Sequence, residues 1–246
     1  MRPLDFMIIG AQKCGTTALA EFLNGHPDIE MSSPKEVHLF DAPALDSQQI
    51  VERYAAAFSD ENCELRGEAT PIYLYLQGIP EKLHRYNAKL KFIVMLRDPV
   101  ERAYSHYAME RERGNEPLPF WIALLREKAR LANDADELQP TSAHRIYSYR
   151  DRGRYAGQLR RLYRWFSPDQ VLVLRSDQLR GEHAQTMARI FRFLQVQPAD
   201  IPGREVFAQG SEISRVPFSS SMLRWSYRKE LRALQATVDF AIDDWY

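Results

Sequence analysis

The chain has 246 residues, 45% of them hydrophobic, and its 33 basic and 33 acidic side chains cancel. That is length enough for one substantial core, and the balance of charge excludes a surface that is basic overall, leaving room only for a local basic groove. Cys14 and Cys63 are the only cysteines, which excludes a disulfide framework and points to a reducing compartment.

Phe6 to Ile9 is a run of four apolar residues and predicts a short buried strand. It begins within five residues of Met1, leaving no room for a signal peptide or membrane stalk, and no apolar run approaches the roughly 20 residues of a membrane helix. A soluble, cytoplasmic protein with no membrane span is therefore expected. Gly10 and Gly15 next bracket a tight loop holding Lys13 and Cys14. Thr16 and Thr17 lead into a predicted helix, Thr17 to Asn24, with Ala18, Leu19, Phe22 and Leu23 at helical spacing. A strand, a glycine-bounded loop and a helix N-terminus make an anion site, since loop N–H groups point inward and the helix dipole favours negative charge. The nucleotide-phosphate pattern G-x-x-x-x-G-K-[ST] would follow Gly15 with lysine. Here Thr16-Thr17 stand there, and the lysine has moved to Lys13. A positive site could lower the pKa of Cys14, but a small buried packing residue is the favoured reading.

Gly25-His26-Pro27 ends the first helix. Met31 to Phe40 is dense in ionisable groups, and Glu36 and His38 share a face if the backbone is extended. A carboxylate and an imidazole together are what removal of a hydroxyl proton requires; by spacing alone, though, the pair reads as a solvated loop. A helix face runs through Ile50, Tyr54 and Phe58, Glu64 to Thr70 reads as a short strand before Pro71, and Ile79 to Tyr86 reads as a helix with Pro80 in its first turn.

Phe92 to Leu96 suits a strand buried on both faces of a parallel sheet. Asp98 caps a helix starting at Pro99, with Val100, Ala103, Tyr104 and Tyr107 inward. Arg97 follows the strand and offers a fork suited to phosphate, and Ser105 lies eight residues on, about two helical turns. Alone, each reads as an ion-pair residue and a surface serine; together they suggest a second anion site. A helix from Pro119 to about Leu131, an exposed loop from Ala132 to Ser142 and an amphipathic helix from Arg154 to Phe166 come next. Ser167-Pro168 breaks the chain before a strand over Val171 to Leu174, followed by a helix from Glu182 to Leu194. Gln197 to Ser221 reads as irregular, and a last helix covers Ser220 to about Ala236. The arginines of Arg145 to Arg164 could meet an acidic partner, but a solvated helix face is favoured. His26, His84, His106, His144 and His183 lack partners at metal-ligand spacing, so no metal is expected. Strands alternating with helices imply an α/β fold around a parallel sheet. With no repeat or linker, one domain over 1–246 is expected.

Phe6 to Leu19, Pro34-Lys35-Glu36-Val37-His38-Leu39-Phe40 and Leu96 to Tyr107 together resemble the sulfotransferases that use 3′-phosphoadenylyl sulfate (PAPS), in particular the heparan-sulfate type and its bacterial relatives. Gly153-Arg154-Tyr155 and the Val171 strand are similar to a further family segment. The resemblance implies a P-loop-like, three-layer fold with a central parallel sheet. It implies that Lys13, Cys14, Gly15, Thr16 and Thr17 hold the 5′-phosphosulfate, that Arg97 and Ser105 hold the 3′-phosphate, and that Glu36 activates the acceptor with His38 beside it. The product would be 3′-phosphoadenosine 5′-phosphate (PAP). The acceptor would be a hydroxyl, less readily an amine, of a small molecule or glycan; no nucleic acid and no metal enter. Two departures bear on a heparan-like acceptor. Ala69 stands where such relatives often carry lysine, and Ala208 to Ser221 lacks the usual basic lysine-glycine-arginine loop. The rival readings are a P-loop small-molecule kinase and a non-catalytic nucleotide-binding interaction module.

Overall fold

A computed structural model describes residues 2–42, 45–59, 63–134, 136–203 and 217–246. Its strands are β1 (Phe6–Gly10), β2 (Ile29–Met31), β3 (Leu65–Ala69), β4 (Lys91–Leu96) and β5 (Val171–Arg175). Its helices are α1 (Thr16–Asn24), α2 (Ser47–Ala57), α3 (Ile79–Tyr86), α4 (Pro99–Glu112), α5 (Phe120–Ala132), α6 (Ala143–Ile146), α7 (Tyr155–Leu162), α8 (Ser176–Gly181), α9 (His183–Leu194) and α10 (Pro217–Gln235). Contacts divide the chain into two compact units, one drawn from Met1–Leu96 and Arg161–Phe207, the other from Arg97–Arg160 and Ala208–Tyr246.

The first unit carries the whole sheet, in the order β2-β3-β1-β4-β5 with every pairing parallel. This is the expected α/β architecture, a central parallel sheet flanked by helices. β1 is apolar throughout because it has a strand on either side, and Phe6, Met7 and Ile8 are fully buried. Beyond β1 the chain builds one side of the sheet with β2 and β3, then the other with β4 and β5. The loop after β1 therefore sits where the strand order reverses, the place where open parallel sheets bind ligands. β3 is less apolar, reading Leu-Arg-Gly-Glu-Ala, yet Arg66, Glu68 and Ala69 are all buried. Gly67 is required there, because a Cβ would collide with the ring of Phe6 across the ladder.

In the second unit α4 starts at Pro99, with the Asp98 carboxylate accepting from Val100 N (2.7 Å) and Glu101 N (3.2 Å). Tyr104 stacks on Phe120 of α5 at 4.0 Å between ring centroids, and Tyr107 meets Phe120 and Tyr149 edge-on. Buried Glu127 accepts the N–H groups of Arg150 and Asp151, anchoring that turn.

Four expectations change. β2, three residues long, is too short for its alternation to register. The helix expected over Arg154 to Phe166 is regular only over Tyr155–Leu162, and turns lead from there to Ser167, whose extended backbone suits the residue before Pro168. The short helices α6 and α8 were not anticipated. The last helix runs over Pro217–Gln235, three residues earlier at its start than Ser220. Residues 208–216, most of the Ala208 to Ser221 stretch that lacks the basic loop, lie outside the described residues.

Candidate functional site

β1 delivers the chain into the loop at Gly10, where a Cβ would lie 2.6 Å from the Leu74 side chain, so nothing larger fits. Ala11 N then donates to Met95 O (2.7 Å), tying the loop to β4. Lys13 (φ 70°) and Gly15 (φ 84°) are both left-handed, a conformation natural to glycine and costly for lysine. Two left-handed residues so close curl the backbone in the manner of an anion-binding nest. Gly15 is the N-cap of α1, so no side chain caps this helix, and its first turn holds no acidic residue. The N–H groups that every helix leaves over at this end, with the positive end of its dipole, thus stand ready for an anion. Cys14 is 1% exposed, in keeping with a packing residue that contributes backbone.

Lys35 connects this loop to the ionisable segment. Its carbonyl accepts from Ser32 Oγ (3.0 Å) and Ala69 N (3.3 Å), which fixes its backbone beside the end of β3. Its ammonium donates to Thr17 Oγ1 (2.9 Å) in the first turn of α1 and lies 3.0 Å from Glu36 Oε1.

Glu36 and His38 do meet, with Nε2 at 3.3 Å from Oε2, but not because the backbone is extended. His38 has φ 56°, a left-handed backbone rather than an extended one. The other ring nitrogen, Nδ1, lies 2.8 Å from Oδ2 of Asp41, whose side chain is fully buried. The two carboxylates raise His38 to a pKa of about 9, the Asp41 hydrogen bond contributing most and the Glu36 bond next, against partial burial. Burial raises the Glu36 pKa, but the hydrogen bond from His38 and the charge of Lys35 outweigh it, so Glu36 lies below the ordinary 4.5.

Under this segment is a buried polar cluster. Tyr54 O–H donates to Glu68 Oε2 (2.6 Å), and the Tyr73 hydroxyl oxygen accepts from Phe40 N–H (3.2 Å). Burial raises Glu68 to about 7 despite the hydroxyls around it. Phe40 itself packs against Tyr54, Tyr73 and Tyr86.

In the second unit, Arg97 directly precedes the Asp98 cap of α4 and donates from Nε (3.0 Å) and Nη2 (2.8 Å) to Glu101 Oε2. Its carbonyl accepts from Tyr155 O–H (3.0 Å), and Arg224 Nη2 bonds Asp98 Oδ2 (3.0 Å). Ser105 is part-exposed in the middle of α4.

Lys13 to Thr17 therefore form one continuous loop and helix start, Glu36 and His38 touch, and Arg97 and Ser105 belong to one helix and its lead-in. Asp41, three residues after His38, and Lys35 carry no signal in the sequence; in both cases only side-chain geometry reveals the link. Among the described residues no group of three or more His, Cys, Asp or Glu is placed to hold a metal ion, and no helix is long and apolar enough to cross a membrane.

The sulfotransferase-domain family model matches residues 3–209. A crystal structure of a sulfotransferase from Alicyclobacillus acidocaldarius is similar to this chain at a TM-score of 0.83 and 25% identity, covering 100% of this chain and 99% of that one. Human bifunctional heparan sulfate N-deacetylase/N-sulfotransferase 3 is 29% identical over 78% of this chain, a stretch that is 22% of the relative. Mouse sulfotransferase SULT7A1 complexed with PAP shares the fold, with a TM-score of 0.58 at 16% identity over 96% of this chain and 86% of that one. The chain spans between 22% and 53% of the length of the curated relatives it matches.

Proposed function

Because the chain belongs to the sulfotransferase family, whose domain model matches residues 3–209, we propose that it moves a sulfuryl group from PAPS to a hydroxyl, less readily an amine, of a small-molecule or glycan-like acceptor, working as one catalytic domain in the cytoplasm. The single observation that carries the reading is the start of α1: without a side-chain cap, free of acidic residues and preceded by left-handed Lys13. Such an end favours a phosphate-type anion. Lys13 and the N–H groups of Gly15, Thr16 and Thr17 would stabilise charge growing on the departing 5′-phosphate. Glu36, ionised at neutral pH, would take the acceptor's proton. Arg97 and Ser105 would bind the 3′-phosphate and so help hold donor and acceptor in line. That Arg97 now shares its guanidinium with Glu101 fits an arginine kept ordered by a carboxylate that a phosphate can replace. A glycan acceptor has support in the heparan sulfate relatives, and PAP in the complexed mouse enzyme.

Calorimetry with PAP and AMP tests the donor. The intact protein should bind PAP far more tightly than AMP, and Arg97→Ala should remove about 10- to 100-fold of PAP affinity, the worth of a charge-assisted contact, while leaving AMP nearly unchanged. Equal affinity of the wild type for both nucleotides would sink the two-anion reading. Magnesium-dependent turnover of ATP would replace it with a kinase.

A further inference from the structure

We infer that Lys35 is a catalytic cation of this site: its ammonium touches the transferring sulfuryl group and stabilises the charge that develops as that group leaves its phosphate. The inference rests on the PAPS reading above and deepens it.

Three observations carry it. First, the ammonium sits between two different working parts, 2.9 Å from Thr17 Oγ1 and 3.0 Å from Glu36 Oε1. A group that must pass from an anion held at Thr17 to an oxygen activated by Glu36 passes beside this nitrogen. Second, the ammonium reaches the positive end of α1, whose first turn holds no acidic residue, and the carboxylate that balances it there is Glu36, at 3.0 Å. An anion bound at that helix end would lie between the dipole and the ammonium. Third, the lysine is aimed by its backbone: two donors, Ser32 Oγ and Ala69 N, grip its carbonyl. Its side chain is also only part-exposed, at 26%, which limits screening by solvent.

The step balances without a further reagent. Glu36 takes the proton of the acceptor O–H as the acceptor oxygen forms its bond to sulfur. The bond from sulfur to the bridging oxygen of the 5′-phosphate breaks, and its electron pair stays on that phosphate oxygen. Lys35 faces the negative charge on the sulfuryl oxygens and the departing oxygen together and is itself neither protonated nor deprotonated. Its contribution belongs to the transition state, so it should appear in rate more than in binding.

The test uses the whole chain and does not need the natural acceptor. Radiolabelled PAPS is mixed with excess protein, and its single-turnover decay to PAP and sulfate, with water as acceptor, is followed beside calorimetry of PAP. Lys35→Gln keeps a donor for Thr17 but removes the charge, Lys35→Arg keeps the charge, and Lys35→Ala removes both; melting curves report on folding. Decay should slow by about 10²-fold in Lys35→Gln and Lys35→Ala, with PAP affinity changed less than about threefold and partial recovery in Lys35→Arg. A Lys35→Gln rate near that of the wild type overturns the inference and makes Lys35 a tether. So does a loss of rate matched by an equal loss of PAP affinity, or a wild type in which bound PAPS decays no faster than in buffer. A wild type that binds no PAP overturns the donor reading itself, and this inference with it.

Discussion

His38 is held as an imidazolium at neutral pH, because Asp41 and Glu36 both accept from it and raise its pKa to about 9. A ring already carrying its second proton cannot take another from a hydroxyl, so the acid limb near pH 6.5 that an ordinary histidine base would impose is not expected. Glu36 lies below 4.5 and remains ionised, so the rate should hold on the acid side until pH falls through the low Glu36 pKa. Glu36→Gln should reduce single-turnover transfer by about 10²- to 10⁴-fold. His38→Ala should cost less and should move the acid limb upward, since Glu36 loses the hydrogen bond that lowers its pKa. These pH–rate profiles decide the assignment: a near-normal rate in Glu36→Gln, with collapse in His38→Ala, would make the histidine the base. The left-handed φ of His38 belongs to the same account, since strained backbone is kept where it places a working group.

The start of α1 does its work as an element, through backbone rather than side chains. Gly15 caps it at φ 84°, and an L-residue there costs about 1–2 kcal/mol. Gly15→Ala should therefore lower Tm by about 2–4 °C for each kcal/mol lost, and it should weaken PAP binding as the nest distorts. Chemical denaturation and calorimetry check both effects, and an alanine variant matching the wild type in each would exclude a role for the left-handed cap. This element was legible because its signals are local: an apolar run, two glycines and a helical period. β4 and the Asp98–Pro99 start of α4 were legible for the same reason. What stayed hidden depends on partners far along the chain. β2 is defined by its pairing with β3, and Lys35 by a carbonyl gripped from Ala69 and an ammonium resting on Thr17. Spacing alone makes Glu36 and His38 a solvated loop; their contact, and the left-handed φ of His38 that goes with it, appear only in the folded chain.

Among the described residues, Glu68 in the first unit and Glu127 in the second are buried carboxylic acids whose titration is shifted upward, both to about 7. Burial is the leading cause for each, and it outweighs the Tyr54 and Thr70 hydroxyls at Glu68 and the two backbone N–H groups at Glu127. In the unfolded chain these groups ionise near 4.5; in the folded chain they hold their protons until about 7. Between those values the folded state binds more protons, so stability must fall as pH rises. His38 adds to the decline at higher pH: its raised pKa contributes stability that is complete below 6.5 and is lost as pH rises through about 9. Glu36, Asp134 and Asp177 act at the other end, with lowered pKa values whose stabilisation disappears as pH falls through them. The protein should thus be most stable near pH 5, with Tm decreasing steadily from there to pH 9. Glu68→Gln, which keeps an acceptor for Tyr54, and Glu127→Gln should each flatten the segment between pH 5 and 7 while leaving the decline above pH 7 in place. Melting curves at half-unit pH steps, in buffers of matched ionic strength, separate the contributions. A wild-type Tm that is level or rising between pH 5 and 7, or a slope there that both glutamine variants retain, would show that these two acids ionise freely in the fold.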